Sequence, residues 1–327
     1  MANEVRWGIV GCGGIAAKFA GCLPAVEGAT LAGVASRQQA KADEFAAKHS
    51  AERAYGSYEA LLAADDVDAV YVATPHPMHD EPVRAALRAG KAVLCEKPFS
   101  INQERAAETV ALARDLGVFC MEAMWTRFLP TSGQVREWLA AGAIGEPILA
   151  SANFAFRAGF DPASRLFDPD LGGGGLLDVG VYTIAYANML LSALPEQVTG
   201  LATLGETGVD EVAGYVLSYP GGRLATLSCA VRVSSPQSAR IDGTAGRIEI
   251  PNFWNGSRAT LSAEGQEPVT VELPHDLNGF EYEVREVHRC LAAGLTESPA
   301  MPLDETLATA GVMDALRQQW GLRYPME

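Results

Sequence analysis

The chain has little positive charge for its length. Its 25 Lys and Arg residues stand against 40 Asp and Glu residues, which gives a formal charge of -15 at pH 7. Nucleic acids and anionic membrane surfaces are bound by clustered Lys and Arg, so neither is expected as a partner. This composition still allows one local basic pocket for a phosphate group.

Cysteine pairs and long hydrophobic runs are also missing. We expect the cysteines to be reduced, mostly buried thiols, because they are scattered and form no C-x-x-C pair. No signal peptide is predicted, since an apolar strand begins at Val5, and no apolar run reaches the ~18 residues of a membrane span. The sequence therefore predicts a soluble cytoplasmic protein. The six cysteines are Cys12, Cys22, Cys95, Cys120, Cys229 and Cys290.

Short apolar segments alternate with helical segments in the first third of the 327 residues. This alternation predicts βαβ units and a parallel sheet. The predicted strands cover residues 5–10, 30–35, 68–74, 91–95 and 118–121. The predicted helices cover residues 14–23, 37–48, 57–64, 79–89 and 102–116.

The pattern changes after about residue 125. Alternating apolar and polar runs between Pro147 and Thr270 are typical of antiparallel strands, and Pro220-Gly-Gly222 predicts a hairpin between residues 213–219 and 223–229. Two more helices are predicted at 278–293 and 303–320. We therefore expect an α/β protein with an N-terminal Rossmann domain, residues 1–123. A C-terminal α+β domain, residues 124–327, would carry a large, mostly antiparallel, open-faced sheet, with helix 303–320 packing back on the first domain.

A glycine-rich turn follows the first strand. Its residues are Gly11, Cys12, Gly13, Gly14, Ile15 and Ala16, a G-x-G-x-x-A pattern that opens a helix. Gly11 allows the tight turn, Gly13 lets a pyrophosphate approach the backbone, and Ala16 keeps the helix close to the sheet. The helix N-terminus supplies aligned N–H groups for the phosphates. The turn predicts dinucleotide binding.

The end of the second strand distinguishes the two nicotinamide dinucleotides. Enzymes that use NAD usually carry an acidic residue there for the ribose 2′-hydroxyl, whereas this chain has Ser36 and Arg37. A hydroxyl followed by a guanidinium suits a 2′-phosphate. NADP is the predicted cofactor, with NAD as the alternative.

A second motif lies in residues 172–182. Four glycines precede Asp178, and Tyr182 follows four residues later, so on a helix the carboxylate and the phenol share one face. We expect the glycines to let the backbone approach a ligand, and the two side chains to form a proton-transfer pair.

With Ala73-Thr-Pro-His-Pro-Met-His79 and Cys95-Glu-Lys-Pro98, these motifs resemble the Gfo/Idh/MocA oxidoreductase family over nearly the whole chain. The resemblance implies that Lys97 lies near the nicotinamide. Tyr182 stands where many members have His, and residues 121–128 are similar to E-A-x-W-T-R-F. Both features favour the branch that includes dimeric dihydrodiol dehydrogenase and NADP-dependent D-xylose dehydrogenase.

The resemblance implies reversible hydride transfer between the nicotinamide and a carbinol carbon. Tyr182 is the expected acid/base, Lys97 is expected to lower the pKa of the phenol, and Asp178 is expected to hold the geometry. Whether Tyr182 or Lys97 takes the proton first is left open. No metal is expected. The expected cofactor contacts also include Thr74, Pro75, His76, His79, Glu96 and Trp125, and the expected substrate contacts also include Trp125, Arg127, Phe154, Trp254 and Phe280.

The predicted substrate is a small neutral polyol or sugar, an aldose or a cyclic trans-diol. A keto-sugar reductase is the alternative within the enzyme class, and a non-catalytic NADP(H)-sensing protein is the alternative outside it. A nucleotide-linked sugar would need a second diphosphate site, and we find no basic cluster for it in residues 151–290. The resemblance also implies a homodimer, or a larger assembly of dimers, that covers the open face of the sheet.

Overall fold

The computed structural model describes residues 4–327, which form two compact units. The first unit comprises the residues up to Trp125 together with Asp276–Thr306. The second comprises Thr126–His275 together with Leu307–Glu327. Each unit has its own sheet.

The sheet of the first unit is parallel throughout and has the strand order β3-β2-β1-β4-β5-β6. This is the Rossmann order, with the chain reversing direction across the sheet between β1 and β4. The strands are β1 Val5–Val10, β2 Ala29–Ala35, β3 Arg53–Tyr55, β4 Ala69–Val72, β5 Ala92–Glu96 and β6 Cys120–Ala123. The connecting helices are α1 Gly14–Cys22, α2 Gln39–His49, α3 Tyr58–Leu62, α4 Asp80–Arg88 and α5 Gln103–Leu116.

The central strands are buried on both faces, as expected of a parallel sheet covered by helices. Trp7, Ile9, Tyr71 and Leu94 are fully buried. The predicted strands and helices are found within a few residues of their expected bounds. The three-residue edge strand β3 was not predicted, because it is half exposed and too short to show a pattern.

The second unit is built on a sheet with the order β14-β13-β12-β11-β7-β10-β9-β8. Its neighbouring strands run antiparallel except for β7 and β10, which run parallel. The strands are β7 Pro147–Ala155, β8 Gln197–Leu204, β9 Asp210–Tyr219, β10 Arg223–Ala230, β11 Ala239–Gly243, β12 Gly246–Ile250, β13 Arg258–Ala263 and β14 Val269–Glu272. The expected hairpin is confirmed as β9 and β10.

One face of this sheet is covered and the other is open. Helix α7, Val181–Leu191, packs on β7 and β10, and α6, Pro130–Ala140, packs on α7. Residues of β9 alternate between buried and exposed. The open face therefore exposes apolar side chains of four strands, among them Leu149, Leu201, Val212, Val216 and Leu224.

Helix α7 is apolar all round, and each of its residues is buried. The helical segment Pro169–Leu191 has 23 residues, and its most apolar 18-residue window has a mean hydropathy of 1.2, so by length and composition it matches a membrane span. The sequence analysis did not anticipate this. Its most apolar window is entirely buried inside the fold, as in the core helix of a globular unit.

Two helices complete the chain, α8 Glu281–Ala292 and α9 Leu303–Trp320. Helix α8 belongs to the first unit, and the boundary between the units falls within α9. The fold class predicted from the sequence, a Rossmann unit and a large, mostly antiparallel sheet, is confirmed.

Candidate active site

The glycine turn joins β1 to α1 at the point where the sheet order reverses. Gly11 has φ +99°, and a Cβ added to it would stand 2.8 Å from the carbonyl oxygen of Ala73. Only glycine fits here without strain. At Gly13 and Gly14 a Cβ would meet nothing within 4 Å, and Gly13 gives α1 no side-chain cap. No side chain at the N-cap therefore occupies the first N–H groups of α1, and no Cβ blocks a pyrophosphate from approaching the turn.

The end of β2 carries no acidic side chain. Ser36 follows the strand, and its Oγ accepts a hydrogen bond from the backbone N–H of Gln38 at 3.3 Å. The Arg37 side chain is exposed. A guanidinium in this position can reach a phosphate on the adenosine ribose without first breaking a buried contact.

The loop after β4 is held by a buried histidine. Both ring nitrogens of His79 lie within hydrogen-bonding distance of backbone oxygens, Nδ1 2.9 Å from Pro98 and Nε2 2.8 Å from Thr74. Burial lowers the pKa of His79. The ring is fully buried, so His79 ties the loop after β4 to the turn after β5. His76 is half buried one turn earlier. The Thr74 hydroxyl donates to the Met78 carbonyl at 2.9 Å, which holds the same loop.

Lys97 follows β5, at the carboxyl end of the parallel sheet. The preceding Glu96 is 5% exposed and accepts hydrogen bonds from the Tyr71 hydroxyl and, at 3.1 Å, from the backbone N–H of Lys97. These bonds hold the turn from which the half-buried Lys97 side chain leaves the strand. Ligands of open α/β sheets bind at this edge.

A second carboxyl group is buried behind Glu96. Glu283 of α8 is fully buried, and neither of its side-chain oxygens has a hydrogen-bond partner among residues 4–327. Burial, together with the charge of Glu96, raises the pKa of Glu283 well above its ordinary range. Burial therefore favours the protonated, uncharged form of Glu283. The sequence analysis missed it, because nothing in the sequence near Glu283 points to Glu96.

Trp125 and Phe280 stack in the first unit, with ring centroids 4.8 Å apart and both side chains buried. Arg127, in the second unit, is 6% exposed and donates to the Ala185 carbonyl at 3.0 Å. That bond fixes the start of the second unit to α7.

In the second unit, Asp178 and Tyr182 lie on consecutive helical segments. Asp178 is in a π-helical turn, Leu176–Gly180, and Tyr182 is in the first turn of α7. The two residues are 5% and 7% exposed. Nη1 of Arg165 lies 2.7 Å from Oδ1 of Asp178, so the carboxylate is oriented by an ion pair.

The glycines before Asp178 are required by the protein's own packing. A Cβ on Gly173 would stand 2.9 Å from the backbone of Leu166, and one on Gly174, which has φ +118°, would stand 2.3 Å from Oδ1 of Asp210. Asp210 is fully buried and accepts a hydrogen bond from the Leu176 N–H at 2.6 Å. Gly174 and Gly175 make room for Asp210, which the sequence did not reveal. That the glycines also let the backbone approach a ligand stays a prediction.

An aromatic pair lies beside Tyr182. Its ring centroid lies 5.4 Å from that of Phe154, which stacks on Trp254 at 5.1 Å. Trp254 is held by a hydrogen bond from its Nε1 to Oε1 of Gln237 at 2.7 Å. The structure thus brings together three predicted substrate contacts, Phe154, Tyr182 and Trp254. Within residues 4–327, no group of three or more His, Cys, Asp or Glu side chains is placed to hold a metal ion.

A Rossmann sheet with an open glycine turn, joined to a unit that presents an acid and a tyrosine, defines a dinucleotide-binding oxidoreductase. A model of an oxidoreductase family with an NAD-binding Rossmann fold matches residues 5–124, and a model of the GFO/IDH/MocA C-terminal domain matches residues 133–249. The chain belongs to the Gfo/Idh/MocA oxidoreductase family, as its motifs predicted.

Similar proteins include enzymes of known activity. The trans-1,2-dihydrobenzene-1,2-diol dehydrogenase of Mus musculus is 39% identical over 332 residues, which cover 99% of each chain. A 3-ketoreductase from Actinomadura kijaniata, in complex with NADP and TDP-benzene, is 29% identical with a TM-score of 0.83, covering 97% of this chain and 98% of that one. An aldose-aldose oxidoreductase from Caulobacter crescentus, complexed with glycerol, has a TM-score of 0.89 and covers 97% of both chains. At 24% identity, that likeness shows the fold alone.

Proposed function

We propose that this protein is an NADP-dependent dehydrogenase that oxidises a carbinol carbon of an aldose or a cyclic trans-diol. The observation that carries the proposal is the grouping of Tyr182 with Phe154 and Trp254, on a segment where Asp178 is oriented by an ion pair. Such a group offers a proton-transfer phenol beside an apolar wall for one face of a ring. The similarity to a dihydrodiol dehydrogenase over the full chain supports it.

The residues of the first unit fit the cofactor. Gly11 to Ala16 would hold the pyrophosphate against the N-terminus of α1, and Ser36 and Arg37 would hold the 2′-phosphate. We propose that the nicotinamide end is lined by Thr74, Pro75, His76, Glu96 and Trp125. His79 is proposed to position the loop after β4 and the turn after β5. When bound, the nicotinamide supplies the hydride acceptor or donor.

The chain's own residues manage the proton. Tyr182 exchanges a proton with the reacting hydroxyl, and the ammonium of Lys97 stabilises negative charge that develops on that oxygen. Asp178 is proposed to hydrogen-bond a substrate hydroxyl, in an orientation set by Arg165. Trp125 and Phe280 are proposed as further substrate contacts. Arg127 is proposed to act by anchoring its segment.

We also propose that the open face of the sheet is covered by a second copy of the chain. Leu201 is 83% exposed there, and an apolar area of this kind is a common homodimer surface. Reduced thiols fit a cytoplasmic protein: the six cysteines are unpaired, and all but Cys12 are buried.

The test is reduction of NADP⁺ or NAD⁺ by a panel of aldoses and cyclic trans-diols, followed by the absorbance of the reduced nicotinamide. Activity with NADP⁺ and at least one member of the panel is expected. Tyr182→Phe and Lys97→Met should each lower kcat by at least about 100-fold while NADPH binding is retained. Tyr186→Phe, one helical turn further along α7, and Lys48→Met, on the surface of α2, are the matched controls. Near-normal turnover in both site variants would refute the roles assigned to them.

Keto-sugar reduction is the second candidate. It is favoured by the 29% identity to a 3-ketoreductase that was crystallised with NADP. If the enzyme oxidises NADPH with 3-keto sugars and shows no activity with the aldoses and cyclic trans-diols of the panel, keto-sugar reduction is its function. Tight NADPH binding without turnover in either direction would point to a non-catalytic sensor.

A further inference from the structure

Two arginines that are distant in sequence are paired in the second unit. Arg157 and Arg232 form an isolated antiparallel bridge just beyond β7 and β10, whose carboxyl ends lie side by side. The N–H of Ala158 donates to the Val231 carbonyl at 2.9 Å and holds the two segments together. Residues opposite each other in such a pair project from the same face. The fold therefore creates a basic pair that the sequence does not display.

The two arginines line one cavity of about 670 Å³. Gly159, Phe160 and Ser234 contribute to its wall, and within the described chain its lining contains no carboxylate. The volume is within the range of small-molecule sites. The cavity lies wholly within the second unit.

The positive charge of this pair is only partly compensated. Arg232 is held in place: its Nε lies 3.5 Å from Oε2 of Glu211, and its guanidinium lies 5.3 Å from the centre of the Phe160 ring. Arg157 makes no salt bridge with any carboxylate in residues 4–327. Like charges directly opposite each other destabilise a strand pair, and an oxyanion between them removes that cost. One fixed guanidinium and one available guanidinium suit a doubly charged anion.

The cavity is connected to the reacting group through one chain segment. Phe160 lies in the cavity wall, and Arg165, five residues later, holds Asp178. Phe154, beside Tyr182, precedes Arg157 by three residues, a distance of about 10 Å along an extended chain. One end of an extended sugar derivative could reach the cavity while its other end presents a hydroxyl to Tyr182.

We propose that this cavity is an anion subsite, and that the substrate is a sugar or polyol bearing a phosphate or carboxylate group bound by Arg157 and Arg232. The identity of the reacting end depends on the proposed function. The anion site depends on the cavity alone. Such a charged substrate differs from the neutral polyol or sugar expected from the sequence.

The first experiment measures binding without turnover. Inorganic phosphate is titrated into the full chain, with NADP⁺ saturating so that the cofactor's own phosphate sites are filled, and the heat is recorded. Saturable binding is expected. It should weaken at least about tenfold in Arg157→Met, and it should be unchanged in Arg258→Met, an exposed control on β13. Arg157→Lys tests whether a single positive charge restores part of the affinity. Absence of saturable binding by the wild type, or equal loss in Arg258→Met, would overturn the proposal.

The second experiment compares kcat/KM for a neutral aldose, its phosphate ester and its uronic acid. At least one charged form should be preferred about tenfold or more, and Arg157→Met should abolish that preference without changing turnover of the neutral aldose. The preferred form distinguishes phosphate from carboxylate. Preference for the neutral aldose, or an equal loss on all three, would show that no anion subsite operates. If nothing is turned over, the proposed function fails, and the phosphate titration still decides the anion site.

Discussion

Asp210 should make the stability of the protein depend on pH near neutrality. Burial raises the pKa of this carboxyl from its ordinary value of 3.8 to about 7. The folded chain then holds the proton more tightly than the unfolded chain. The contribution of Asp210 to the free energy of unfolding is therefore largest in acid, falls as the pH rises from about 4 to about 7, and levels off above that.

The magnitude follows from the shift. One pKa unit corresponds to about 1.4 kcal/mol, so raising the pH from about 5 to about 8 should remove roughly 2–3 kcal/mol through this one group. Asp210→Asn should lose that dependence, because an amide has no proton to release in this range. The amide oxygen can still accept the Leu176 N–H, so the π-helical turn that carries Asp178 should persist.

The assay is urea unfolding of wild type and Asp210→Asn at pH 5, 6, 7 and 8. Subtracting the free energies of unfolding of the two proteins at each pH removes the contributions of the other titrating groups, which both proteins share. Asp115→Asn, an exposed change in α5, is the matched control and should run parallel to wild type. Parallel curves for Asp210→Asn as well would refute the reasoning, since they would mean that Asp210 has the same proton affinity in the folded and unfolded chains.

Three further predictions concern the two units. Gly11→Ala should lower the free energy of unfolding by at least about 2 kcal/mol in urea melts and weaken NADPH binding, because it adds a clash with the backbone to the strain of a positive φ. The control is Gly90→Ala, where φ is +71° and the space around the added Cβ is open, and this change should lower the free energy of unfolding by only about 1 kcal/mol. Arg37→Gln should raise KM for NADP⁺ about tenfold or more and leave KM for NAD⁺ unchanged, and an equal rise for both would contradict the 2′-phosphate contact. Arg165→Met should lower kcat/KM about tenfold, with the circular dichroism spectrum unchanged, because Asp178 loses the partner that orients it. Unaltered kinetics would show that this ion pair does not contribute to catalysis.

Local patterns account for the parts of the fold that could be predicted. The glycine turn, the βαβ alternation and the hairpin at Pro220 each depend on residues that are neighbours in sequence. The motif at Asp178 and Tyr182 was visible for the same reason. Family membership followed from the order of four such motifs.

The remaining features depend on contacts between distant segments. Asp210 lies under Gly174 and Gly175, Glu283 lies behind Glu96, and Arg157 pairs with Arg232. No periodicity or spacing encodes these pairs, because the register of strands and the packing of helices bring them together. The sequence showed no basic cluster in residues 151–290, yet two of its scattered arginines line one cavity.

The parallel pairing of β7 and β10 within an otherwise antiparallel sheet also has a consequence for how this protein could diversify. Parallel neighbours cannot be joined by a tight turn, and here the chain leaves the sheet after Ala155, re-enters it at Gln197 and reaches β10 through β8 and β9. That excursion carries Arg165, Asp178 and Tyr182. Insertions and substitutions within it can change what is recognised while the strands that support it stay in register, so one scaffold can serve different substrates.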